Sequence, residues 1–270
     1  GPGYAWIYGH GSATSNINTS LGVGMPGGNG YYVRKYIYSV ATSMQTVQKA
    51  YYLQDVWNVT DNFQLNIGLR NDRFTNYNDL GIAFVDEKNQ WEPRLGFSWD
   101  VNGDSSFKVY GNAGRYYLAL PDNVAERAAN RSTYTSDYYT YTGVDSNGIP
   151  LGLTPVPGVG GGPPPGPVSA DNELGQPKDA KQVTASNLKA QYQDEFILGF
   201  DKTLGPNWVY GVKLTYRQLK TAIDDECDPG KIYDKINAMG YNADDYYDAI
   251  VNPYCRLINP GLTNTMLVNK

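Results

Sequence analysis

The feature that most constrains this chain is a two-residue alternation of apolar and polar side chains. It recurs in segments of strand length, while helical periodicity is nearly absent before about residue 230. The clearest segment is Phe63 to Asp72, where Phe63, Leu65, Ile67 and Leu69 share one face and Gln64, Asn66, Gly68, Arg70 and Asp72 share the other. Trp91 to Val101 and Trp208 to Arg217 repeat the pattern, the latter setting Trp208, Tyr210, Val212, Leu214 and Tyr216 against Val209, Gly211, Lys213, Thr215 and Arg217. Weaker versions run over Val47 to Trp57, Phe107 to Tyr117 and Tyr192 to Phe200. An all-β, antiparallel protein is expected.

The connections narrow the choice of architecture. Tight turns are expected at Thr60-Asp61-Asn62, at Asn102-Gly103-Asp104-Ser105 and at Leu204-Gly205-Pro206-Asn207, all with residues that favour turns. The alternate connections are long, at about residues 75–90, 118–190 and 221–262. Every long loop therefore leaves from the same end of the sheet. A transmembrane β-barrel has this polarity, with short periplasmic turns and long external loops, and its lumen accepts the Gln, Asn, Arg, Lys, Glu and Asp of the second face. A secreted β-sandwich that binds carbohydrate or mediates adhesion is the alternative, its polar face being the solvated outside.

Composition agrees with strands that are apolar on one side only. Mean hydropathy is −0.49 although 41 % of residues are hydrophobic, and no run of about 18 apolar residues exists to form a membrane helix. The 24 tyrosines suit a protein whose rings collect where membrane meets water. A net charge of −5 argues against a nucleic-acid partner. One histidine, His10, and two cysteines leave no histidine-based triad or metal centre, so neither an enzyme nor a cofactor is expected. The opening Gly1-Pro2-Gly3 has no basic segment ahead of an apolar stretch, so no signal peptide is expected in this chain.

Several segments also resemble one family. Ala50-Tyr51-Tyr52-Leu53-Gln54-Asp55-Val56-Trp57, followed by Thr60-Asp61-Asn62 and Leu65-Asn66-Ile67-Gly68-Leu69-Arg70-Asn71-Asp72, resembles a barrel hairpin of TonB-dependent outer-membrane receptors. Trp91-Glu92-Pro93-Arg94-Leu95-Gly96-Phe97-Ser98-Trp99-Asp100 is similar to the next strand, and Tyr192 to Asp201 with Trp208 to Tyr216 to a later hairpin, above all in the Oar-like subgroup. The resemblance implies an outer-membrane location, contact with lipid, an external ligand, and an amino-terminal plug through which TonB supplies energy. Receptors of this kind have barrels of about 22 strands. Six or seven are expected here, so residues 1–270 read as one internal section of a single barrel domain, with the plug and remaining strands outside it.

Candidate sites follow from these placements. Tyr134, Tyr138, Tyr139 and Tyr141 in the longest loop are the candidate ligand contacts, because tyrosine offers large area at little entropic cost. Arg70, Asp72, Glu92, Arg94, Lys213 and Arg217 are expected to face the lumen as a polar network that would meet the plug. Cys227 and Cys255 are expected to pair in an oxidising compartment and to staple a loop with short helices at Ile232 to Met239 and Ala243 to Ile250. A short helix is expected over Val124 to Ala129, and a proline- and glycine-rich surface loop between Pro150 and Pro167. Asp224, Asp225, Glu226 and Asp228 read as a solvated acidic stretch, and no metal site is expected there.

Overall fold

A computed structural model describes residues 3–10, 31–40, 43–121, 128–156 and 167–269. The chain begins with β1 (Gly3–His10) and β2 (Tyr31–Val40), then runs through four long strands, β3 (Gln45–Thr60), β4 (Phe63–Tyr77), β5 (Ala83–Asp100) and β6 (Phe107–Leu118). The next connection carries β7 (Ser132–Thr140), β8 (Gly143–Val144), β9 (Pro150–Leu151), β10 (Thr154–Pro155) and a helical turn, α1 (Ala180–Val183). The strands β11 (Gln191–Leu204) and β12 (Trp208–Thr221) follow, then β13 (Asp224–Glu226), α2 (Pro229–Ala238), a 3-10 turn at Ala243–Tyr246, α3 (Tyr247–Val251) and β14 (Arg256–Ile258).

Strands β3 to β6, β11 and β12 form one six-stranded antiparallel meander in chain order. Pairings such as Leu53 with Leu69, Ile67 with Leu95, Leu95 with Ala113, Ala113 with Phe196 and Leu198 with Leu214 keep apolar residues on one face throughout. Across that face Trp57, Phe63, Trp99 and Trp208 mark the turn end, and Tyr51, Trp91 and Tyr216 mark the other. Asp55 interrupts the apolar row on β3. The turns have the expected chemistry. Asp100 accepts hydrogen bonds from the backbone N–H of Gly103 (3.1 Å) and Ser105 (2.8 Å), and Gly205 sits at φ 63°.

The connection expected at about 75–90 is mostly strand, since β4 runs to Tyr77 and β5 starts at Ala83. Past the pair Asp72–Gln90 a bulge shifts the register to Phe74–Glu87, so β5 changes phase and the simple alternation is lost from the sequence. Beyond the bulge Phe74 and Val85 are buried with Phe84, Leu120, Val183 and Leu257 in a core built from four separate stretches of chain. Asn259 locks this layer, donating to the carbonyls of Lys189 (2.9 Å) and Ala222 (2.8 Å) and accepting from the Lys189 N–H (2.7 Å).

The two remaining long connections are folded units. In the first, β7 joins β1, β2 and β10 in a four-stranded sheet of order β1-β2-β7-β10. In the second, Cys227 and Cys255 are bonded, β13 pairs with β14, and α2 and α3 lie between them, close to the expected helices. Pro229 opens α2 and Asp228 caps it through the Gly230 N–H. Arg256 is buried and donates to the carbonyls of Ala249 (2.6 Å) and Ile250 (3.0 Å), and burial lowers its pKa to about 10. The helix expected from Val124 and the glycine-proline run from Pro157 to Gly166 lie for the most part outside the described residues.

Candidate functional site

Two constellations carry chemistry. The first lies on the polar face of the meander, where the register sets Arg70 opposite Glu92 and Gly68 opposite Arg94. Arg70 contacts Asp72 at 2.7 Å and Glu92 at 4.0 Å, and Arg94 reaches Glu92 at 2.6 Å. Glu92 is only 2 % exposed and Asp72 4 %. The β5–β6 ladder ends at Arg94–Gly114, and beyond it the Tyr117 N–H finds the Glu92 carboxylate at 2.9 Å in place of a strand partner. Arg94 also lies 4.8 Å from the Tyr116 ring centre. Replacing Glu92 by alanine leaves this N–H and the Arg94 guanidinium without their acceptor and removes a charge near Arg70, which keeps Asp72. A loss of about 3 kcal/mol is expected, at the low end for a broken buried pair because both arginines are partly solvated. Urea unfolding of the folded barrel measures it, and a change below about 1 kcal/mol would remove Glu92 from the network's centre.

Lys213 and Arg217 share this face but stand apart on β12. Arg217 pairs with Glu195 across β11, and Lys213 lies opposite Gly199. The six residues are thus one four-member cluster and two separate positions.

The second constellation is the aromatic four-stranded sheet. Pairing of Tyr8 with Val33, Trp6 with Lys35, Lys35 with Asp137 and Val33 with Tyr139 places Tyr4, Trp6, Tyr8, Lys35, Asp137 and Tyr139 on one face. Trp6 packs edge-on to Tyr139 at 6.1 Å and Tyr8 to Tyr141 at 5.2 Å, and Val33 is fully buried. The Lys35 ammonium sits 5.2 Å from the Tyr4 ring centre and 5.9 Å from that of Trp6. Burial raises the Asp137 pKa, with Lys35 opposing it, and burial also raises the Tyr139 and Tyr141 hydroxyls. Tyr8 donates to the Gly148 carbonyl at 2.9 Å, tying the sheet to the β8–β9 hairpin. On the opposite face Tyr134 packs on Tyr38 at 4.5 Å, and Tyr138 packs on Tyr32 at 5.8 Å over the buried Val156.

Comparison with known proteins fits this geometry. Residues 3–123 match the family described as TonB dependent receptor-like, beta-barrel, and residues 78–216, half of the chain, match the outer membrane beta barrel domain. The chain belongs to the outer-membrane β-barrel domains, and its first part has the barrel of a TonB-dependent receptor. Over 204 residues it is 26 % identical to the TonB-dependent transporter Oar of Myxococcus xanthus, an alignment covering 67 % of this chain and 18 % of that protein. The chain thus spans less than a fifth of that relative's length.

In a receptor barrel the apolar face of the meander meets lipid, and the location is the outer membrane. The family consists of transporters and receptors rather than enzymes, and the secreted β-sandwich is not favoured by either match. Sequence reasoning missed β1 and β2. The signal was present in Tyr4, Trp6 and Tyr8 alternating with Ala5, Ile7 and Gly9, but Gly3–His10 is short and its partner Tyr31–Val40 lies far along the chain. It also missed Arg115 and Asp194, which pair at 2.8 and 3.1 Å on the lipid side of the receptor barrel, at the loop end of β6 and β11. The His10 side chain and the segment Gly11-Ser12 lie outside the described residues.

Proposed function

We propose that this section supplies wall and outward loops to a receptor that recognises a ligand at the cell surface and passes it across the outer membrane. One observation carries the reading: the two large folded connections leave from one end of the meander, while at the other end no connection exceeds the stretch 101–106. The loop end then faces the exterior. The polar face with Arg70, Asp72, Glu92, Arg94, Lys213 and Arg217 lines the lumen, where a plug coupled to TonB would pack. The test is single cysteines at Asn147, in the β8–β9 turn, and at Asp104, at the turn end, in the full-length receptor. A membrane-impermeant maleimide should label position 147 on intact cells, and position 104 only after the outer membrane is permeabilised. The reverse pattern would overturn the orientation.

Within this reading the ligand meets the face that carries Tyr139 together with Tyr4, Trp6 and Tyr8, the buried Tyr141 supporting Tyr8 edge-on, while Tyr134 and Tyr138 brace the sheet from behind. Exposed aromatic rings around one ammonium and one carboxylate suit a saccharide, whose C–H faces pack on rings and whose hydroxyls bond to charges. Tyr4 is 61 % exposed and Tyr8 40 %. Trp6→Ala is expected to weaken binding of the purified full-length receptor to an oligosaccharide array by about tenfold or more, and Tyr134→Ala by about threefold or less. No binding to any saccharide by the unaltered receptor would sink the assignment.

A further inference from the structure

The lipid-side face carries a cluster that neither ligand capture nor the lumen uses. On β4 the apolar row Phe63, Leu65, Ile67 and Leu69 continues through Asn71 to Arg73. Lys49 lies directly across from Arg73 on β3, so both side chains leave the same side of the sheet. From β5, Asp86 accepts from the Arg73 guanidinium (3.1 Å to each oxygen), and the Lys88 ammonium reaches the same carboxylate at 3.0 Å. Two cations therefore hold one carboxylate, and a third, Lys49, stands beside Arg73 with no carboxylate partner among the described residues.

Height decides what this cluster meets. Arg73 lies ten residues beyond Phe63, which at the usual rise and tilt puts it about 25 Å above the turn-end girdle, the thickness of the apolar band of a membrane barrel. The cluster thus sits where hydrocarbon gives way to headgroups. Below it and one strand over, the small residues Gly111 and Ala113 on β6 leave a groove walled by Leu95, Phe97, Phe196 and Leu198, a shape suited to an acyl chain.

We infer that Lys49, Arg73 and Lys88 form a binding site for the phosphate groups of the outer-leaflet phosphoglycolipid. The inference rests on the proposed orientation of the loop end. Excess positive charge beside an apolar band is complementary to an anionic headgroup whose chains lie along that band. Asp86 holds Arg73 and Lys88 side by side, so two cations are presented to the phosphate in fixed register.

The experiment uses the full-length receptor in nanodiscs, with native mass spectrometry counting retained lipid. Bisphosphorylated lipid A is expected to be retained about tenfold more strongly than the monophosphorylated form or phosphatidylglycerol, and K49Q/R73Q/K88Q to lose that preference. Lys202→Gln, at the opposite edge of the same face and 5.3 Å from the Phe107 ring centre, should leave it unchanged. Heat-modified gel mobility reports whether each variant is folded; if the triple variant does not fold, Lys49→Gln alone, whose residue has no carboxylate partner among the described residues, should lower the preference at least twofold. Unchanged preference in the folded variant, or equal retention of phosphatidylglycerol, overturns the site. Failure of the orientation itself would show separately, in the maleimide labelling of position 147.

Discussion

Leu198→Arg is expected to cost about 2–4 kcal/mol of barrel stability in a bilayer. Leu198 lies midway along the lipid-side row of β11, between Asp194 and Lys202, and pairs with Leu214. It is 54 % exposed in the isolated sheet. In a soluble protein so exposed a position would tolerate arginine to within about 0.5 kcal/mol. The penalty therefore measures the solvent this face meets, since the guanidinium must be stripped of water or must thin the membrane. Thr215→Arg, at nearly the same depth on the polar face, is the matched control and should change stability little. Urea titration of both variants in lipid vesicles decides the matter. Equal effects at the two positions would contradict a lipid-facing assignment.

Removing the disulfide should have the second large effect, confined to one unit. Cys227 and Cys255 close a loop with a separation of 28 residues, worth about 3–4 kcal/mol in the chain-entropy description. The unit has little else to hold it, because α2 buries no residue and the interior rests on Ala243, Ile250 and Arg256. With both cysteines changed to serine, trypsin cleavage at Lys231 or Lys235 should accelerate by about a hundredfold or more, while the six-stranded meander stays resistant. Unaltered cleavage would mean that packing of β13 on β14 and the contacts of Arg256 suffice alone.

Much of the meander was legible because strand alternation is a local property. The row Phe63, Leu65, Ile67, Leu69 and the turn Asp61-Asn62 depend only on neighbouring residues, and the structure reproduces both. Legibility failed where one face stopped predicting the next. Past Asp72 the register shift and burial of Phe74 and Val85 end the alternation, so strand was read as loop. The tyrosine cluster was visible as composition, but whether Tyr139 and Tyr134 share a face depends on β7 lying in a regular strand, and their partners come from β1 and β2. Arg115 lay in a recognised strand, yet its carboxylate partner is 79 residues away.

The sequence by itself determined the antiparallel β class, the tight turns and which face of the strand segments such as Phe63 to Asp72 and Trp208 to Arg217 is apolar. It did so because side chains alternate with period two whatever the strand pairs with. Only the tertiary structure decided that Trp6 meets Tyr139, that Glu92 serves the Tyr117 N–H, and that Arg73 and Lys88 share one carboxylate with Lys49 beside Arg73. Each of these rests on register between strands, which bulges and long-range packing set and local pattern does not record.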